Sequence, residues 1–266
     1  MRIILTGANG NLGRQIIAQN SVHEVVPIHR NNWALLETLS LGREDVIIHA
    51  ASDLTTPISQ NPASVLDSNV GTTARLLEKS KGCGRFIFIS SCAVYGDALK
   101  TNENTICRPL SVNGIIKLLN ERVVEEFCTR HGIPYLILRI FNTYGGDDRF
   151  SIISKLQKSL ADGAPFQLNN QGIAQRDFVH VSDVAGVVLR LLDCHLPFTC
   201  LNVGTGDTTK IKDVVDAVRQ FHPQLKVINK DADEVEYSRA DIARLRATLD
   251  YQFINIHEQL PILFPV

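Results

Sequence analysis

No stretch of this sequence approaches the ~20 consecutive apolar residues that a bilayer-spanning helix needs. There is no excess of either charge, since 27 Lys and Arg stand against 28 Asp and Glu. Without a basic field, nothing draws the chain to nucleic acid or to an anionic membrane surface. There is no Cys-x-x-Cys pair among the six cysteines, at 83, 92, 107, 128, 194 and 200. That excludes the usual zinc and redox-dithiol patterns and leaves the cysteines as small buried hydrophobes. The eight histidines lack ligand spacing, so no metal is assigned. Internal repeats and low-complexity linkers are absent too. An apolar strand begins at residue 2, leaving no room for a signal peptide, and a cytoplasmic protein with reduced thiols is expected.

What is present is an apolar content of 44% over 266 residues, enough for one large domain or two small ones. Arg2 to Thr6 is a short apolar run that reads as a buried strand. Gly7, Gly10 and Gly13 follow at regular spacing, then a helical pattern from Arg14 to Asn20. In that context the glycines point to a dinucleotide site. Gly7 allows a tight turn, Gly10 lets backbone N–H groups approach a pyrophosphate, and Gly13 lets the helix pack close to the strand. The helix N-terminus then faces the phosphate charge.

Strands and helices alternate after that. Val22 to His29, Asp45 to Ala50, Arg85 to Ser90, Pro134 to Phe141 and Cys200 to Val203 read as strands. Val65 to Lys81, Lys117 to Arg130, Phe150 to Ala161 and Ser182 to Leu192 read as helices. The alternation predicts an α/β fold: a Rossmann-like doubly wound parallel sheet with right-handed crossovers. The pattern changes after Tyr144. Residues 1–145 plus 174–203 are expected to form the dinucleotide-binding domain. Residues 146–173 plus 204–266 are expected to form a small discontinuous C-terminal substrate lobe, with a ligand cleft between the two.

The end of the second strand bears on cofactor choice. An acid ~20 residues past the glycines accepts from a ribose 2′-OH, whereas an arginine accommodates a 2′-phosphate. Here the strand ends Ile28-His29-Arg30. Arg30, with Arg14 assisting, favours NADP; NAD is the alternative.

Thr6-Gly7-Ala8-Asn9-Gly10-Asn11-Leu12-Gly13 resembles the signature of the extended short-chain dehydrogenase/reductases, the nucleotide-sugar epimerases, 4,6-dehydratases and 4-ketoreductases. Further similar blocks run in the family's order. They are Asp45 to Ala51, Asn69-Val70-Gly71-Thr72, Phe88 to Gly96, Arg139 to Gly145, Arg176 to Ala185, Asn202 to Gly206 and Ser238 to Asp241.

One departure stands out. The family's Tyr-x-x-x-Lys sets a phenol one helical turn before an ammonium. A free phenol titrates near ~10, and the neighbouring positive charge lowers that value so that the tyrosine can exchange a proton with the sugar hydroxyl. Here Asn113 stands four residues before Lys117, and no Tyr-x-x-x-Lys occurs anywhere. An amide hydrogen-bonds but does not titrate usefully near neutrality. Three readings stay open: a form substituted at this position, another acid (Tyr95, Tyr144 or a water held by Lys117), or binding without turnover.

The resemblance implies a catalytic set of Ser91, Asn113 and Lys117. It implies cofactor contacts from Gly7, Asn9, Gly10, Asn11, Leu12, Gly13, Arg30, Ala50, Ala51, Ser52, Asn69 and Lys117. Substrate contacts are expected from Ser91, Cys92, Asn142, Arg176 and Arg239, with Arg176 gripping the diphosphate unless it pairs with Asp177 or Asp183. The implied activity is NADP-dependent reduction, or epimerisation, of a nucleotide-linked deoxyhexose for surface polysaccharide synthesis. Reduction leads because the chain is short and Arg30 is present. NAD-dependent 4-epimerisation is the alternative, and a non-catalytic nucleotide-sugar or cofactor sensor is the alternative of another class. Dehydration is disfavoured, because Cys92-Ala93 stands where dehydratases of the family carry Asp-Glu. A homodimer is implied, paired through the Val65–Lys81 and Lys117–Arg130 helices.

Overall fold

In the computed structural model, which describes residues 1–53 and 57–265, six strands form one parallel sheet. These are β1 (Arg2–Thr6), β2 (Glu24–Ile28), β3 (Asp45–His49), β4 (Arg85–Ser91), β5 (Tyr135–Ile140) and β6 (Cys200–Val203). Their order across the sheet is β6-β5-β4-β3-β1-β2, every neighbouring pair parallel. β1 lies between β2 and β3, so the order reverses there. Ligands of open α/β sheets sit beyond the strand C-termini at such a reversal.

The strands are apolar throughout because both faces are covered. Side chains alternate, so Ile3, Leu5, Ile48 and Ile87 enter a core with Ile16 and the Val181–Leu191 helix. Ile4, Ile47, Phe86 and Phe88 face the opposite way, onto Leu76, Leu77 and Val124. A third apolar cluster gathers Tyr144, Ile153, Leu156, Phe166, Phe178, Val214 and Leu260. Ala240, Ile242, Leu245 and Leu249 instead join the sheet's core.

Element ends differ from the sequence reading where side chains intervene. The second strand is shorter than Val22–His29, because Asn20 and His23 hydrogen-bond each other in a turn before it. Helix α1 (Asn11–Gln19) begins directly after Gly10. The Val65–Lys81 helix is three pieces: Pro62–Leu66, a π-helical turn Asp67–Gly71, and Thr72–Lys79. The helix expected from Lys117 begins earlier and is Val112–His131. Ser111 Oγ caps it, accepting from the Gly114 N–H at 3.1 Å, and Gly132 closes it in the left-handed region. That early start puts Asn113 in the first turn.

Candidate active site

The glycine turn is held at van der Waals limits. Gly7 adopts φ +74°, and a Cβ there would lie 2.7 Å from the Ala50 carbonyl carbon and the Ala51 nitrogen. A Cβ on Gly13 would meet the Gly7 carbonyl oxygen at 2.3 Å. The N-cap of α1 is Gly10, which has no capping side chain. The first N–H groups of the helix are therefore open to an anion. This bare cradle fits the pyrophosphate of a dinucleotide, which Gly7, Gly10, Asn11, Leu12 and Gly13 would hold.

Two adjoining cavities meet at this turn. One, of about 740 Å³, runs from Gly7, Gly10, Asn11, Leu12 and Gly13 past Ala50, Ser52, Ser91, Asn113 and Lys117 to Asn142 and Arg176. The other, of about 570 Å³, lies under Asn9, Arg30, Ala51 and Ser52. Arg30 borders both and bonds no other described side chain. Arg14 is half exposed and meets Asp147 in an open ion pair at 2.8 Å, the kind of surface pair that is worth little.

Asn69, Cys92 and Arg239 border neither cavity. The Asn69 amide is turned to the loop after β3: its Oδ1 accepts from Ser52 Oγ at 2.9 Å and from the Asp53 N–H at 3.0 Å. Cys92 accepts from Ser238 Oγ at 3.6 Å, and burial pushes its thiol up to about 11. Arg239 donates to the Gly206 carbonyl at 2.8 Å. Asn142 does border the cleft, its amide donating to the Asp177 carbonyl and to Ser238 Oγ.

Ser91, Asn113 and Lys117 share one stretch of cleft wall. Ser91 ends β4, and its Oγ accepts from the Ala93 N–H at 3.1 Å. The helix bearing Asn113 and Lys117 lies close against that turn, for a Cβ on Gly114 would sit 2.4 Å from the Ala93 carbonyl oxygen. Lys117 is 7% exposed. Its ammonium donates to the Ile89 carbonyl at 2.9 Å and stands 5.1 Å from the Phe88 ring centre. Burial holds it down to about 8, against the opposing pull of Glu121.

The two tyrosines considered as substitute acids lie elsewhere. The Tyr95 hydroxyl donates to Asn202 Oδ1 at 2.7 Å and accepts from Arg139 at 3.0 Å. Arg139 in turn forms a buried ion pair with Glu121 at 2.7 Å, and Glu121 takes a hydrogen bond from Ser90. The Tyr144 hydroxyl is fully buried without a partner among the described residues. Burial raises both phenols above their ordinary value, and neither borders the cleft.

Arg176 reaches the cleft but pairs with neither Asp177 nor Asp183. Its guanidinium faces Glu234 at 3.5 Å and donates to the Val235 carbonyl at 2.6 Å. Asp177 is buried and gathers the N–H groups of Thr205, Gly206 and Ala240.

Several cleft residues escaped the sequence reading. Ser68, Thr72 and Arg75 border the second cavity with Trp33; their spacing, one helical turn apart, was a usable signal. Gln167 and Asn169 border the main cleft from the strand Phe166–Asn169, and nothing local in the sequence marks them.

Residues 3–204 match the NAD dependent epimerase/dehydratase family. The chain is 31% identical over 191 residues to YtcB of Bacillus subtilis, an uncharacterized UDP-glucose epimerase, covering 69% of this chain and 60% of that one. The match therefore spans less than two thirds of that relative's length. It is 29% identical to the GDP-6-deoxy-D-mannose reductase of Pseudomonas aeruginosa, covering 93% and 88%. The fold resembles that of the UDP-glucuronic acid 4-epimerase from Bacillus cereus, solved with UDP-glucuronic acid and NAD. The TM-score is 0.86 at 23% identity, covering 99% of this chain and 98% of the other.

Proposed function

The chain belongs to the NAD dependent epimerase/dehydratase family, and from that footing we propose that it reduces, or epimerises, a carbon of a nucleotide-linked deoxyhexose with NADP. The observation that carries this reading is one continuous cleft. It joins the glycine cradle to Ser91, Asn113 and Lys117, and ends at Arg176. The nicotinamide group would supply or accept hydride when bound. Ser91 orients the reacting sugar oxygen, Asn113 hydrogen-bonds a neighbouring hydroxyl, and Lys117 supplies positive charge. Arg176 offers planar N–H donors to a diphosphate. Arg30, exposed at the meeting of the two cavities, supports the 2′-phosphate of NADP over NAD.

The reading takes residues 1–145 plus 174–203 as the cofactor half and 146–173 plus 204–266 as the substrate lobe. The third apolar cluster supports that lobe. A second reading, binding without turnover, is favoured by one residue, Asn113.

The deciding experiment incubates the protein with NADPH or NADH and a panel of 4-keto and 4-hydroxy sugar nucleotides. Consumption of NADPH with a 4-keto substrate supports reduction; epimer formation without net cofactor use supports epimerisation. Tight binding of both ligands with no product would leave only the binding role. Arg176→Ala should raise the substrate Kd by roughly 10-fold or more, with cofactor affinity unchanged. A lowered Tm with unaltered substrate binding would make Arg176 a structural partner of Glu234.

A further inference from the structure

Reduction of a carbonyl, or oxidation of a hydroxyl, requires a group that moves a proton at the sugar oxygen. This inference rests on the function proposed above. Asn113 cannot be that group, and Tyr95 and Tyr144 do not reach the cleft. Among the cleft's other carboxyl and amine side chains, Glu234 is engaged with Arg176, Asp148 accepts from the N–H groups of Phe150 and Ser151, Asp53 has a partner of its own, and Lys155 is exposed to solvent. Lys117 is placed differently. Its Nζ is anchored to the carbonyl of Ile89, two residues before Ser91. Ile89 is its one hydrogen-bond partner among the described residues, while an ammonium has three donors. Asn113 sits one turn earlier on the same wall, and an asparagine side chain ends where the ring of a tyrosine would begin.

We propose that Lys117 itself is the proton donor and acceptor of this site, reaching the sugar oxygen through the space that Asn113 leaves in front of it. In reduction the carbonyl carbon takes hydride from a reduced nicotinamide dinucleotide, and the oxygen takes the proton released by Nζ. The C=O π bond is replaced by a C–H and an O–H bond. Water then reprotonates the neutral amine. The surroundings suit the role. Burial holds the ammonium down to about 8, near a working pH. Glu121, on the same helix, opposes that shift but is shared with Arg139 and Ser90. His49, packed with Phe88 on the β3 side, is neutral, its value lowered to about 3.

The test uses the full chain carrying ¹³C-lysine. The Lys117 signal, identified by its loss in Lys117→Arg, should titrate near 8, and reductive turnover should fall with rising pH through the same midpoint. Lys117→Arg keeps the charge but holds its proton, so turnover should drop ~10²–10⁴-fold. Adding Asn113→Tyr to that variant should restore part of it, because a phenol then stands at the oxygen. A Lys117 signal that titrates at the ordinary lysine value overturns the proposal, and this readout on the parent protein does not depend on the variants folding. So does turnover in Lys117→Arg with an unchanged pH profile. Failure of the parent to turn over any sugar nucleotide, with cofactor bound, withdraws the proposed function and this role with it.

Discussion

A single buried imidazole shows how much one residue is asked to do. His49 Nδ1 accepts from Thr6 Oγ1 at 2.7 Å, and its Nε2–H donates to Thr73 Oγ1 at 2.9 Å, whose own O–H donates to the Asn69 carbonyl at 2.8 Å. Thr6 Oγ1 in turn accepts from the Ala51 N–H. This run of hydrogen bonds fixes the tautomer, and it ties the end of β1 to the loop after β3, where the cavity-lining residues Ala50, Ala51, Ser52 and Asp53 begin. Burial, and secondarily the charge of Lys117, hold His49 down to about 3. The unfolded imidazole takes up a proton near ~6.5. Between those values the unfolded state binds a proton that the folded state refuses. The contribution of His49 is therefore complete above ~6.5 and falls as the solution is acidified, by up to ~1.4 kcal/mol per pH unit. Denaturant unfolding between pH 7 and pH 4.5 should show this slope flattened in His49→Asn; parallel curves for the two proteins would contradict it. Arg30 gives the second prediction at this scale. Arg30→Asp should weaken NADPH binding by ~1.5–3 kcal/mol and leave NADH nearly unaffected, as cofactor titrations would reveal. Equal losses, or a parent that prefers NADH, would return the site to NAD.

Helix α1 makes the case at the level of an element. Its N-terminus is aimed by contact rather than by a capping side chain, since Gly13 lets the helix approach the Gly7 carbonyl. Its first residue also reaches across the cleft. Asn11 donates to the Gly145 carbonyl at 2.9 Å and accepts from the Asp147 N–H at 2.9 Å, while Arg14 pairs with Asp147. The glycine turn is thus clasped to the loop at 145–147. Gly13→Ala would place a methyl against backbone atoms that have no rotamer to yield, so helix and turn must separate. Overpacking of this kind typically costs ~1–3 kcal/mol. Calorimetry should find a lower Tm, and equilibrium dialysis a weaker dinucleotide affinity. Unchanged values for both would mean that the close approach carries no function.

For the whole molecule, the proposed homodimer has a physical basis in Val112, Ile115 and Leu119. They share one face of the helix Val112–His131 at exposures of 41%, 53% and 44%. Leu66 adds a further 44%-exposed apolar side chain. Ile115→Glu should shift sedimentation from dimer to monomer at micromolar concentration; a parent that already sediments as a monomer would refute the pairing. No helix among the described residues is long and apolar enough to cross a membrane. The parallel sheet, the order of its strands along the chain and the glycine cradle were all legible beforehand. They depend on spacings of two to four residues, which set side-chain facing and backbone freedom locally. The Asn113 departure was legible for the same reason. The sequence could not assign partners to its charged and phenolic groups. Arg176 lies 58 positions from Glu234, and Tyr95 lies 107 from Asn202. Arg14, expected to assist with a phosphate, meets Asp147, 133 positions away, in an exposed ion pair. Such pairings depend on where distant segments cross, which no local pattern encodes. Sequence periodicity therefore determined the scaffold and the cofactor turn. Tertiary packing alone decided which polar groups remain available to a ligand, because burial and long-range partners had already claimed Tyr95 and had left Lys117 on the cleft wall.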